Sequence, residues 1–225
     1  MSDFRKIVLG LAAAFGLPWL CLIVWPVIKQ QNLKPVAYDK DKDGMDGFYP
    51  ATVVNGQGAL VYAREGCSQC HTQMVRGAQH GLDAWRKGWG EDQSDRAPDP
   101  VRSNTLRDYL GEQYAHLGVQ RIGPDLANAG YRFQDRMALH VKLYSPRSQN
   151  TWSTMPGYRH LYVVQKAEGQ KSQRALDLPS KFKPAKGYEV VPTVEAEQLV
   201  DYILSLKRAF PIPGLAAALE AKAKK

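Results

Sequence analysis

The stretch Cys67-Ser68-Gln69-Cys70-His71 decides how this sequence is read. Two thiols separated by two residues and followed at once by an imidazole form the C-x-x-C-H pattern of a covalently attached c-type haem. The thiols fall one turn apart, so both can form thioethers to the haem vinyl groups, and the adjacent histidine is then held against the iron as proximal ligand. Other uses of a C-x-x-C pair fit less well. A zinc cage needs further cysteines or a spaced histidine pair, and the only other cysteine is Cys21. A thioredoxin-like dithiol belongs in a βαβ pattern, which the flanking sequence lacks. The expectation is one haem c on Cys67, Cys70 and His71, and hence an electron-handling protein.

With 225 residues, the chain has room for one modest soluble domain and an anchor. From Ile7 to Ile28 the sequence is uncharged and strongly apolar. At about 1.5 Å per residue it is long enough to cross a hydrocarbon core of about 30 Å. A secretory signal would be shorter and would end in a pair of small residues, whereas Val27-Ile28-Lys29-Gln30-Gln31 offers no such cleavage site. Leu20 before Cys21 is too bulky for a lipoprotein signal. The segment therefore reads as a retained single-pass helix, with Pro18 and Pro26 able to bend it and Trp25 placed to mark an interface. Lysines and arginines lie on both sides of it and do not choose an orientation. The haem motif does: c-type haem is attached outside the cytoplasm, which places the domain in the periplasm of a bacterial inner membrane.

The expected organisation is a cytoplasmic end (1–6), the anchor (7–28), a polar linker (29–50), a mainly α haem domain (51–211) and a basic tail (212–225). Within the linker, Asp39-Lys40-Asp41-Lys42-Asp43-Gly44 matches the first half of a calcium loop, but Pro50 stands where the bidentate Glu is required, so a solvated connector is expected. Asn55 can cap a helix that runs through Arg64 to the haem cysteines. Residues 81–105, anchored only by Trp85 and Trp89, read as a surface excursion. Helical spacing of Met137, Val141 and Tyr144 predicts a helix over Asp135–Tyr144, stopped by Ser145-Pro146. Another begins near Thr193, with Leu199, Tyr202, Ile203 and Leu206 as its apolar stripe. Tyr188-Glu189-Val190-Val191 is the one strand candidate, and Ala216–Lys225 reads as a basic helix.

A second axial ligand is sought beyond the motif. Met155, in Ser153-Thr154-Met155-Pro156-Gly157-Tyr158, sits in loop chain stiffened by the following proline, far enough from His71 for the polypeptide to pass round a haem. A thioether there would raise the potential. Met74 is too close to His71, Met137 falls on a helix stripe as a core methionine, and His140 and His160 are the bis-histidine alternatives. Gly123-Pro124-Asp125-Leu126 presents a carbonyl, that of Pro124, able to accept the Nδ1–H of His71. Arg147, after Pro146, is a candidate partner for a haem propionate.

Taken in order, Tyr62 to Arg76 with its C-x-x-C-H core, Gly123-Pro124-Asp125-Leu126, Leu143-Tyr144-Ser145-Pro146-Arg147 and Ser153-Thr154-Met155-Pro156-Gly157-Tyr158 resemble the mono-haem cytochrome c subunit of cbb3-type haem–copper oxidases. The resemblance runs from the anchor to about residue 162. It implies a class I cytochrome c-like periplasmic domain on one transmembrane helix, with Cys67 and Cys70 as attachment points, His71 as proximal and Met155 as distal ligand. It also implies partners: the catalytic oxidase subunit, other cytochrome c subunits and a cytochrome donor. Two other functions share parts of this pattern. The small cytochrome subunit of a nitric oxide reductase has the same anchor and haem, though Gln73-Met74-Val75-Arg76 favours the oxidase. A haem-based gas sensor would need an open distal site. The net charge of +8 speaks to partners, an acidic donor or anionic lipid headgroups, and the topology makes nucleic acid implausible.

Overall fold

A computed structural model describes residues 2–50, 56–76 and 103–214. The expectations for Asn55, for Trp85 and Trp89, and for the Ala216–Lys225 helix lie outside the described residues. Within them the protein is mainly helical.

The apolar segment is one helix over Asp3–Gln30, with mean hydropathy 2.4 in its most apolar window and none of that window buried by the rest of the protein. It is long and apolar enough to cross a membrane. It comprises α1 (Asp3–Trp19), a π-helical turn (Leu20–Val24) and α2 (Trp25–Gln30). The wide turn lies between Pro18 and Pro26, neither of which can donate a backbone hydrogen bond, and the Trp25 N–H donates five residues back to Leu20. The Lys29 ammonium stands 5.0 Å from the centre of the Trp25 ring, the kind of pairing expected where a helix leaves a bilayer.

The segment expected as a solvated connector is instead a small folded arm: β1 (Val36–Ala37), α3 (Lys40–Asp43) and β2 (Phe48–Tyr49), with β1 and β2 antiparallel. The carboxylates that resemble half a calcium loop are used within this turn. Asp39 caps α3 by accepting from the N–H groups of Asp41 and Lys42, Asp43 accepts from the Asp39 N–H at 2.8 Å, and Gly44 ends the helix. The arm is fastened to the C-terminal segment: the Tyr38 hydroxyl donates to the Pro211 carbonyl at 2.8 Å, and Asp43 accepts from the Gly214 N–H at 2.7 Å.

The core forms where α4 (Gly56–Arg64) crosses α8 (Val194–Ser205). Gly58 permits this crossing, since a Cβ there would run into the Gln198 carbonyl and stand 2.6 Å from the Tyr202 Cβ. Val61 and Tyr62 on one helix meet Leu199, Tyr202 and Ile203 on the other, and burial of each large apolar side chain contributes about 1.5–3 kcal/mol. Thr193 caps α8 through the Ala196 N–H. Around this pair lie α5 (Ala129–Arg132), α6 (Arg136–Tyr144), capped by Asp135, and α7 (Pro146–Gln149). The strand expected near Tyr188 is β4 (Tyr188–Pro192); its antiparallel partner β3 (Tyr162–Lys166), with Val164 opposite Val190, was not expected, although Tyr162-Val163-Val164 are strand-favouring residues.

The end of the domain is pinned by a buried charge. Arg208 is fully buried, makes a two-pronged pair with Glu112, donates to Gln73 Oε1 at 3.1 Å and stacks 4.7 Å from the Tyr109 ring. The side chain of Gln73 pairs in turn with the Tyr202 hydroxyl, so the chain just past Cys67–His71 is tied to α8. Arg208→Met should therefore lower stability by about 3–5 kcal/mol, because the Glu112 carboxylate is left without its partner. A denaturant titration in which Arg208→Met and Glu112→Gln combined recover part of that loss would confirm the pair as the cause.

Candidate functional site

Helix α4 delivers the chain to Gly66, and a 3₁₀ turn over Cys67–Gln69 follows. The N–H groups of Cys70 and His71 both donate to the Cys67 carbonyl, at 3.2 and 3.0 Å, which brings the two thiols and the imidazole round a single turn. Cys67 is buried and Cys70 partly so, and both are free thiols. A second segment wraps this turn. Backbone bonds run from Gln73 to Leu117, Val119 to Ser68, Gly123 to Cys70 and Leu126 to Thr72, at 2.7–3.0 Å.

The wrap places the Pro124 carbonyl oxygen 2.7 Å from His71 Nδ1, the partner expected from the sequence. A carbonyl can only accept, so Nδ1 carries the proton and Nε2 keeps its lone pair for a metal. Burial holds the His71 pKa below the ordinary histidine value, which favours the neutral imidazole that a metal requires. Gly123 is required here: a Cβ would strike the ring and stand 2.7 Å from Nδ1 and 2.8 Å from Nε2.

The loop that carries Met155 approaches Cys67 through Tyr158. Arg147 Nε donates to the Ser153 carbonyl at 3.2 Å, Ser153 Oγ accepts from the Met155 N–H at 3.3 Å, and the Tyr158 N–H donates to the Leu143 carbonyl at 2.8 Å. The Tyr158 hydroxyl meets the Cys67 thiol, and Met155 packs, half-buried, on the core cluster that contains Cys67. Arg147, expected at a propionate, is exposed and braces this loop.

The alternative ligands are engaged elsewhere. His140 is buried with Nδ1 at 3.1 Å from the Tyr162 hydroxyl and Nε2 at 3.3 Å from a Glu197 oxygen. His160 Nε2 lies 2.7 Å from Glu65 Oε2. Met137 packs against the core. The rival uses of the cysteines also lack support. Burial pushes the Cys67 thiol up to about 12, the opposite of a redox-active dithiol. Among the described residues, no group of three or more His, Cys, Asp or Glu side chains converges as a metal cage.

These residues fit a covalently bound haem: two free thiols on one turn, an imidazole with Nε2 available, a thioether on a braced loop, and the exposed apolar side chains of Val119 and Ile122 on the wrap beside His71. Sequence reasoning missed three neighbours, Thr72, Arg121 and Asp125, which form a polar cluster behind the Pro124 turn. Asp125 was visible only as part of the Gly-Pro-Asp-Leu motif and Thr72 only as part of the Tyr62–Arg76 stretch, and nothing marked Arg121. No protein-family model matches the sequence, and no curated protein matches it.

Burial gives the domain a pH signature. It holds His140 and His116 below the ordinary value of 6.5, so the unfolded chain binds protons that the folded chain refuses. Stability is then full above about pH 6.5 and lost as the pH falls below it. Thermal unfolding should show a midpoint that drops between about pH 7.5 and about pH 5.5, and His140→Gln should flatten that slope.

Proposed function

We propose that this chain is a membrane-anchored mono-haem c-type cytochrome that relays electrons to the catalytic subunit of a cbb3-type terminal oxidase. The observation that carries the haem assignment is the 2.7 Å approach of Pro124 O to His71 Nδ1 beside two free thiols. It commits one ring nitrogen and leaves the other for iron. The assignment to an oxidase rests on the ordered resemblance of four motifs. The unburied apolar helix supports a single-pass anchor, and attachment of c-type haem outside the cytoplasm orients the class I cytochrome c-like domain to the periplasm of a bacterial inner membrane.

A haem held there supplies reversible one-electron exchange at its iron. The chain's own part is positional. Cys67 and Cys70 would fix the group covalently, Nε2 of His71 and Sδ of Met155 would hold the iron, and the Arg147–Ser153 contact keeps the Met155 loop in place. An iron held by both side chains would exchange electrons without binding oxygen or nitric oxide, and the subunit would then perform no bond chemistry. The net charge of +8 favours an acidic cytochrome donor and contact with anionic headgroups.

Met155→His should lower the reduction potential, because a thioether ligand favours the reduced iron. Met155→Ala should abolish the weak long-wavelength absorption of a thioether–iron bond; an unchanged band would contradict the assignment. The purified native complex should oxidise a cytochrome donor and reduce oxygen, whereas the chain alone should be redox-active without consuming oxygen. A complex that reduced nitric oxide but not oxygen would identify the partner as a nitric oxide reductase. Rapid carbon monoxide binding by the reduced chain alone would contradict the filled distal site and favour a gas sensor.

A further inference from the structure

We infer that Asp125, acting through Thr72 and Arg121, is a positioning residue that sets the strength of the His71–Pro124 hydrogen bond and thereby the reduction potential of the bound haem; this rests on the haem reading of His71. Asp125 follows Pro124 directly and is buried, 1% exposed. Its Oδ2 accepts from the Thr72 hydroxyl at 2.5 Å and from the Met74 N–H at 2.8 Å, and its Oδ1 accepts from the Ala127 N–H at 2.8 Å. Thr72 follows His71 directly. One carboxylate therefore ties the chain leaving the imidazole to the chain leaving the carbonyl that the imidazole meets.

Arg121 closes the cluster. Its Nε donates to Thr72 Oγ1 at 2.6 Å, its Nη2 donates to the Met74 carbonyl at 2.6 Å, and Nη2 lies 3.4 Å from Asp125 Oδ2. The Thr72 hydroxyl is thus oriented, receiving from Arg121 and donating to Asp125. Arg132 donates to the Asp125 backbone carbonyl, and the Leu126 N–H donates to the Thr72 carbonyl at 2.7 Å. The Pro124 carbonyl cannot withdraw from Nδ1 without breaking several of these bonds.

A shorter Nδ1–H···O contact makes the imidazole a stronger donor to the metal, stabilises the ferric state and lowers the potential. The charge of Asp125 acts in the same direction on His71, and those of Arg132 and Lys142 oppose it. A cluster that served only to stabilise the turn would affect unfolding and leave the potential alone.

The test compares full-length holoprotein in detergent as wild type, Thr72→Val and Thr72→Ser. Thr72→Val removes the hydroxyl link without changing charge. It should raise the potential by about 59 mV, a tenfold change in the one-electron reduction equilibrium, and shift the His71 Nδ1–H resonance of the reduced protein upfield as its hydrogen bond lengthens. Thr72→Ser should restore both values. Haem staining after denaturing electrophoresis separates the two claims: a wild-type chain without covalent haem sinks the haem reading itself. A haem-loaded Thr72→Val protein with unchanged potential and resonance overturns the inference alone. If Thr72→Val does not accumulate, Arg121→Lys, which keeps the charge but loses the Nε donor to Thr72, is read the same way: a raised potential supports the inference and an unchanged one overturns it.

Discussion

The hydrogen bond between His71 Nδ1 and the Pro124 carbonyl is the constraint on which the rest of this site depends. It selects one tautomer, and with it the nitrogen left for a metal. The fold builds it from two chain segments far apart in sequence. Backbone bonds lace residues 117–126 onto residues 68–73, and Gly123 removes the Cβ that would otherwise occupy the space of the ring. The buried Asp125 then fixes both segments from behind, at a point where an unpaired carboxylate would be costly. A pair of thiols and an imidazole in sequence thus becomes a directed donor set.

The core is arranged to hold that segment still. Helix α4, which leads into the motif, is packed against α8, and Gln73, just after the motif, is locked between Tyr202 and the buried Arg208–Glu112 pair. The Met155 loop is held in its turn by Arg147 and by Leu143. In the proposed electron relay such rigidity would be functional, since a site that changes little between two redox states spends little energy on reorganisation. The folded arm between the apolar helix and the domain extends the same logic, because Tyr38 and Asp43 tie it to the C-terminal segment.

Much of this was legible in the sequence where a local pattern has one physical solution. The apolar segment, the capped helices at Asp135 and Thr193, and the Gly-Pro turn facing His71 follow from periodicity, capping chemistry and motif spacing, and the structure places each of them accordingly. What could not be read depends on partners distant in sequence. Tyr162–Lys166 becomes a strand only through pairing with Tyr188–Pro192. Arg208, in a Lys-Arg pair before an aromatic, looks like a solvated charge until Glu112 and Tyr109 are placed beside it. The Asp39–Gly44 stretch, expected as a solvated connector, instead folds because its alternating carboxylates cap and close a short helix. His140 carried no mark that separated a buried structural histidine from a ligand, and its two hydrogen-bond partners make that distinction.

The central claim is that Cys67 and Cys70 carry one haem whose iron is bound by His71. Tryptic cleavage after Arg64 and Arg76 isolates the whole motif in one peptide, and mass spectrometry of that peptide after thiol alkylation under denaturing conditions is the most direct measurement. The account predicts a peptide heavier by one haem, with neither cysteine alkylated. A peptide alkylated at both Cys67 and Cys70 and lacking the haem mass, from protein produced in a host that matures c-type cytochromes, would contradict it.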